Sequence, residues 1–278
     1  NNSYSTGLNF FLNTRKHGLY IKSIRLGEGF QSDLGFIRRN GIFKQFLRYE
    51  RRFWIESDRI TNISITNNIR YITKPNENSL ITDRDYSIGF EINYKNLSNF
   101  EFEFSFPYTY LENEFNVTRK DGAVPIPIGG YNYPNYEISF RNSFFKKFSY
   151  FFEVEGGQFF NGSKKSFQTK LTYRFEPIIQ ASINLSYDKI KLPKPYDSAD
   201  LWLIGPKITF TFNKKLFWYN LIQYSSVAEN FGVNSRLQWR FAPLSDLYLV
   251  YNDNYFASNI FAPKIRSLTF KLSYWFNL

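Results

Sequence analysis

The sequence predicts an all-β fold: a transmembrane antiparallel β-barrel of the outer-membrane type with about sixteen strands, roughly fourteen to eighteen being compatible. Three observations predict it: a chain-long two-residue alternation, an excess of aromatic residues without any long apolar run, and connections that alternate between short and long.

The alternation is clearest near the end of the chain. In residues 231–241, F-G-V-N-S-R-L-Q-W-R-F, one face holds Phe231, Val233, Ser235, Leu237, Trp239 and Phe241. Gly232, Asn234, Arg236, Gln238 and Arg240 fill the other. Leu268, Phe270, Leu272, Tyr274 and Phe276 alternate in the same way against Thr269, Lys271, Ser273 and Trp275. Successive strand side chains point to opposite sides, so each stretch has one apolar face and one polar, often charged face.

Composition sharpens the choice of solvent. The 278 residues include 32 Phe and 21 Tyr, no Cys and no Met, yet 21% are charged and the mean hydropathy is -0.41. A water-soluble fold would have to bury those rings, whereas a barrel places them against lipid and in interfacial girdles. No apolar run of roughly 18 residues exists, which excludes helical membrane spans. The net charge of +11 is spread through strands and turns and forms no nucleic-acid-binding module, so nucleic acid is not an expected partner. The absence of cysteine fits an envelope protein that does not rely on disulfides.

In chain order, the alternation predicts strands at 4–12, 18–25, 42–55, 59–72, 84–94, 99–110, 135–142, 148–159, 166–175, 178–190, 201–212, 216–224, 232–241, 246–251 and 267–276. Many are about ten residues long, the length of a tilted strand in a bilayer. Clear examples are Phe100-Glu101-Phe102-Glu103-Phe104 and residues 167–175, F-Q-T-K-L-T-Y-R-F. The connections at 13–17, 56–58, 95–98, 146–147, 176–177, 213–215 and 242–245 are short. Those at 26–41, 73–83, 111–134, 161–165, 191–200, 225–231 and 252–266 are longer. Short periplasmic turns against longer outer loops are a property of bacterial outer-membrane barrels. Counting back from the last strand puts Asn1 outside, so residues 1–278 are expected to be the C-terminal portion of a barrel with at least one N-terminal strand missing. No signal peptide is visible at Asn1.

Three stretches carry a family resemblance. They are Gly29-Phe30 with Leu34-Gly35-Phe36-Ile37-Arg38-Arg39, residues 234–243 (N-S-R-L-Q-W-R-F-A-P), and Ser245-Asp246-Leu247-Tyr248-Leu249-Val250-Tyr251-Asn252 with the terminal 268–276. Together they resemble the C-terminal barrel domain of a Bacteroidetes outer-membrane protein family of unknown function, often preceded by a carbohydrate-binding-module-like domain. The family pattern has N-P-E before L-G-F, where this chain has Gln31-Ser32-Asp33. The resemblance implies an outer-membrane location and a glycan connection, and no known reaction.

Candidate functional residues are the charges that alternation places on the polar, lumenal side. They are Arg48, Glu50, Arg52, Arg70, Glu91, Glu101, Glu103, Lys170, Arg174, Arg236, Arg240 and Lys271. On a lipid face a basic residue at mid-membrane costs about 2–4 kcal/mol. The 26–41 loop adds Glu28, Asp33, Arg38 and Arg39 beside Phe30 and Phe36. It reads either as an inward plug, with Arg38 and Arg39 facing carboxylates such as Glu50, Glu91, Glu101 or Glu103, or as a rim loop pinned by its arginines. Tyr131, Tyr133 and Tyr136 beside the 111–134 loop could stack on a sugar or serve as girdle residues.

Catalytic chemistry finds no support. Ser245-Asp246 is turn composition. His17 is the only histidine, which excludes a histidine-rich metal site, and no glycine-rich phosphate loop is present. No enzyme, cofactor or metal is expected. The expected partners are the lipid bilayer and lipopolysaccharide, an envelope protein complex, and carbohydrate. Two function classes remain: a plugged barrel serving as anchor or complex subunit, towards which the missing catalytic constellation and the family's attached module lean, and a pore or transporter for small polar or glycan-derived solutes.

Overall fold

The computed structural model describes residues 3–32, 35, 37–118, 122–257 and 259–276, with the side chains of 259–261 excepted. Asp33, Leu34 and Phe36 of the first motif lie outside the described residues. Seventeen β-strands and no helix occur among them. They are β1 (Ser5–Asn13), β2 (His17–Leu26), β3 (Ile42–Trp54), β4 (Ile60–Lys74), β5 (Leu80–Tyr94), β6 (Asn99–Ser105), β7 (Tyr108–Leu111), β8 (Gly129–Asn132) and β9 (Asn135–Arg141). Then come β10 (Phe148–Phe159), β11 (Gly162–Phe175), β12 (Ile179–Lys191), β13 (Ala199–Thr211), β14 (Leu216–Ser225), β15 (Asn230–Ala242), β16 (Ser245–Phe256) and β17 (Asn259–Ser273).

Seventeen strands replace the fifteen expected runs because the 99–110 run is interrupted and a further short strand, β8, forms within the expected 111–134 loop. β6 and β7 both pair with β5, and between them lies Pro107, which has no N–H to give a ladder. β8 pairs with β7 and β9 with β6, with Pro134 at the matching break. The backbone is carried past both prolines by Phe106 N–H to the Tyr86 carbonyl, 2.9 Å, and Tyr133 N–H to the Pro107 carbonyl, 3.0 Å.

Several connections are shorter than the sequence led us to expect. The strands run on to leave only residues 75–79, 160–161 and 226–229 as turns, and β16 runs on to Phe256. Polar residues that read as loop are strand residues paired across a hairpin: Asn252 opposes Ser267, and Asp253 opposes Arg266. Connections 27–41, 112–128 and 192–198 remain long. The last strand ends at Ser273 rather than at Phe276.

The chain forms two compact units. The first is Asn1–Phe140, Glu155–Lys165 and Ile190–Ser198, and the second is Arg141–Val154, Ser166–Lys189 and Ala199–Leu278. In the first, β1 to β5 pair antiparallel, each with the next, and β6 to β9 extend them. Register fixes two faces. One carries Arg48, Asn68, Ser87 and Ser105 in line, with Glu50, Thr66, Gly89 and Glu103 in the next row. The other carries Leu47, Ile69 and Tyr86, then Tyr49, Asn67, Ile88 and Phe104. In the second unit, Phe210, Trp218, Leu237, Leu249 and Phe270 form one apolar row. Thr209, Tyr219, Arg236, Val250 and Thr269 form the neighbouring row on the opposite face.

Burial is inverted relative to a water-soluble domain. Among the described residues the buried apolar side chains are only Ile42, Ile72, Ile126, Ile190 and Ala199. Buried polar side chains are more numerous and include Asn62, Ser64, Thr66, Thr82, Ser87, Ser139, Ser166 and Thr172. Along β5, Ser87 and Gly89 are buried while Tyr86, Ile88 and Phe90 are exposed. Soluble proteins enclose Ile, Leu and Phe and expose polar groups. Here the apolar faces are the exposed ones, and exposed apolar surface on this scale marks contact with lipid or another apolar partner. Around Trp218, polar atoms on the apolar face find partners within it. Trp218 Nε1 donates to Ser235 Oγ at 2.9 Å, and that hydroxyl donates to Asn220 Oδ1 at 2.8 Å.

Candidate functional site

The polar face of the first unit gathers the candidate charges into three tiers. At one end, where β2 leads into β3 and β4 into β5, the 27–41 loop is tied down. Arg39 forms a two-pronged ion pair with Asp83, Nη1 to Oδ2 at 2.6 Å and Nη2 to Oδ1 at 3.2 Å. That bond raises the Arg39 pKa further above its ordinary value. Asp83 is presented by a β-bulge: the β4–β5 register shifts between Ile72 and Thr73, leaving Thr82 as the extra residue. The Thr82 hydroxyl, almost wholly enclosed, lies 2.9 Å from Asp83 Oδ2 and 3.3 Å from the Ile72 carbonyl. Asn76 Nδ2 donates to Glu28 Oε1 at 2.8 Å, and Lys74 bridges Glu77 and Glu112. Gly41 closes the loop with φ +65°, a left-handed conformation that glycine adopts without steric cost.

The loop therefore engages Asp83, and not Glu50, Glu91, Glu101 or Glu103, the carboxylates named in the inward-plug reading of Arg38 and Arg39. Spacing is the reason. Asp83 pairs with Ile72 on β4, whereas those carboxylates align with Ser64 and Thr66. Six strand residues further along is about 20 Å. Arg38 is exposed.

The middle tier is under-paired. Arg70 Nη2 lies 3.4 Å from Asp85 Oδ2. Asn68 Nδ2 donates to Ser87 Oγ at 3.0 Å and to Glu103 at 3.4 Å. Asn68 Oδ1, Arg70 Nε and Asp85 Oδ1 are enclosed and make no hydrogen bond with the protein. Arg48, beside Asn68 in the register, has no ion pair among the described residues.

At the far end, Arg52 grips Glu50 through Nε at 2.7 Å and Nη2 at 2.9 Å, and its Nη1 reaches Asn13 Oδ1 at 2.8 Å. Glu91 sits directly across from Glu101. The like-charge pair is buffered by amides: Asn99 and Asn93 donate to Glu91 at 2.6 and 3.0 Å.

In the second unit, Lys170 and Arg174 lie on the polar face of β11 and border a cavity of about 430 Å³. Arg236 lies over the Tyr219 ring at 5.3 Å, Arg240 pairs with Asp246 at 3.4 Å, and Lys271 opposes Tyr248. The Ser245 hydroxyl donates to the Pro243 carbonyl and receives the Trp275 N–H at 3.1 Å, which is turn chemistry. His17 Nδ1 lies 2.8 Å from the Tyr49 hydroxyl, and its Nε2 contacts Arg51. Tyr131 and Tyr133 pack around Phe160, at 5.3 and 5.5 Å, and the Tyr136 ring covers Gly156. Among the described residues no group of three or more His, Cys, Asp or Glu could hold a metal ion.

Sequence reasoning missed one cluster. Tyr251, Asp253 and Tyr255 share the apolar face of β16, and both tyrosine hydroxyls donate to Asp253 Oδ2, at 2.5 and 2.6 Å. Arg266 Nε donates to the same oxygen at 2.7 Å, and Asp253 has no exposed surface. The Tyr-x-Asp-x-Tyr spacing was the available signal.

No known protein family matches the chain, and no curated protein does. Two solved structures superimpose weakly. One is a mutant of the ferric enterobactin receptor PfeA from Pseudomonas aeruginosa, at 10% identity and a TM-score of 0.39. The other is a second mutant of that receptor in complex with enterobactin, at 9% identity and the same TM-score. Each comparison covers 90% of this chain and 50% of the other, so the chain spans half the length of these receptors. Likeness at this level carries no statement about substrate.

Proposed function

We propose that the chain is the membrane-spanning part of a bacterial outer-membrane β-barrel whose polar face lines an aqueous path for small polar solutes. The observation that carries this reading is the shortage of partners on that face. A plugged interior would pair its charges, because an unpaired charge in a dry space is strongly unfavourable. Yet Arg48, Glu101, Lys170, Arg174, Arg236 and Lys271 have no ion pair among the described residues. Such groups are tolerable beside water and offer sites to a passing solute.

The polar faces of the two units differ in character. Acidic and basic groups alternate in the first unit, while the second is mainly basic. The inverted burial supports the bilayer as the surrounding medium. The resemblance to the Bacteroidetes family, read from the sequence alone, favours a glycan-derived solute or an attached glycan-binding module. In the anchor reading, towards which the sequence leaned, the same charges would be neutralised by one another.

Single-channel recording of the folded, full-length protein in a planar bilayer tests the proposal. A steady conductance that falls when Arg48 and Glu101 are both replaced by bulky neutral residues supports it. Correctly folded, electrically silent protein overturns it in favour of the anchor.

A further inference from the structure

The cavity in the second unit has a one-signed lining. Arg141, Lys170, Arg174 and Lys207 border it, and no Asp or Glu does. The two-residue alternation puts them there: Lys170 and Arg174 lie on the polar side of β11, Gln180 and Asn184 on that of β12, and Lys207 on that of β13. None of the four cations has an ion pair among the described residues. They are held by other means. Arg174 Nη1 donates to the Phe144 carbonyl at 2.8 Å and lies 3.3 Å from Ser149 Oγ. Arg141 lies over the Phe151 ring at 5.2 Å. Lys207 and Arg236 approach one ring, Tyr219, at 5.0 and 5.3 Å.

This is a pre-positioned set of donors with no negative charge to answer it, in a volume of about 430 Å³ that suits a small solute. We propose that the cavity binds a small solute bearing oxyanion groups, phosphoryl or carboxylate. The guanidinium of Arg174, steered by a backbone carbonyl, offers its remaining N–H groups in the planar geometry that oxyanions accept. Lys170 and Lys207 add mobile point charges, and the amides of Gln180 and Asn184 supply neutral donors. The first unit has no equivalent, because Glu50, Asp83 and Asp85 there already occupy Arg52, Arg39 and Arg70. The inference requires the polar face to be water-filled, as proposed above, but does not require the path to conduct.

The test is calorimetric titration of the full chain, folded in detergent micelles, with inorganic tripolyphosphate and separately with citrate at low salt. Binding of either probe is expected, weakening as salt is raised. Lys170→Gln and Lys207→Gln are each expected to weaken it about tenfold, with Lys44→Gln on the first unit's polar face changing it by less than about twofold. Absence of binding by both probes overturns the proposal, and so does an equal loss in the Lys44→Gln control. A silent protein that binds the probe refutes conduction alone. A conducting protein that binds neither probe refutes the oxyanion site alone.

Discussion

Placing arginine at position 47 puts two adjacent arginines on opposite faces of one strand. Leu47 and Arg48 sit near the middle of β3. Leu47 faces Ile21 and Ile69, whereas Arg48 faces Tyr20 and Asn68. Leu47→Arg leaves Arg48 in place and adds a charge to the apolar face, beside Ile21 and Ile69, both more than a third exposed. At mid-membrane this costs about 2–4 kcal/mol, which shifts the folding equilibrium by roughly 30- to 700-fold. Arg48→Leu should cost less than about 1 kcal/mol, because it removes an unpaired charge from a solvated face. The assay is equilibrium urea unfolding of protein inserted in phospholipid vesicles, followed by tryptophan fluorescence and by gel mobility without heating. Were the apolar face in water, an arginine there would change stability by no more than about 0.5 kcal/mol. A Leu47→Arg variant that close to the parent refutes the assignment of that face to lipid.

Arg39→Ala should free the 27–41 loop by removing its two-pronged tie to Asp83. With about 1 kcal/mol lost from a half-exposed charge-assisted pair, cleavage by protease within the loop should rise roughly fivefold; an unchanged rate would place the tie elsewhere. Gly89→Ala brings a Cβ to 2.5 Å from Thr66 Oγ1 and should cost about 1–3 kcal/mol in the vesicle titration. Thr66→Ala should restore most of that, and failure to do so contradicts the β4–β5 register. Arg266→Gln should lower the temperature at which the folded band disappears on gels, since it leaves Asp253 enclosed with only tyrosine donors. Adding Asp253→Asn should recover part of the loss, and simple addition of the two effects would show that the residues are not coupled.

The two faces were legible because alternation survives single exceptions: Glu101 and Glu103 between phenylalanines, or Lys170 and Arg174 between Leu171 and Tyr173, can be read without a structure. Fifteen runs were legible for the same reason. The interruption at Pro107 was hidden, because the pattern resumes in phase after it, and β8 was hidden inside the expected 111–134 loop. The tips of hairpins misled: Asn252, Asp253 and Asn254 look like loop, yet ladder pairing and the Asp253–Arg266 ion pair hold them in strand. Register was not legible at all. It decides that Arg39 meets Asp83, through a bulge at Thr82 that no local signal marks. It also decides that Lys170, Arg174 and Lys207, each unremarkable in its own strand, share one cavity.

The central claim is that β4 stands between two solvents, and the absence of cysteine from the sequence allows it to be tested directly. Single cysteines placed in turn at positions 63 to 70, in protein folded into vesicles, would be labelled with an environment-sensitive fluorophore and challenged with an aqueous quencher. The account predicts a two-residue alternation. Positions 64, 66, 68 and 70 should report a polar environment, with quenching at the less enclosed 68 and 70, and positions 63, 65, 67 and 69 should report hydrocarbon and resist. Uniform quenching along the strand would contradict it.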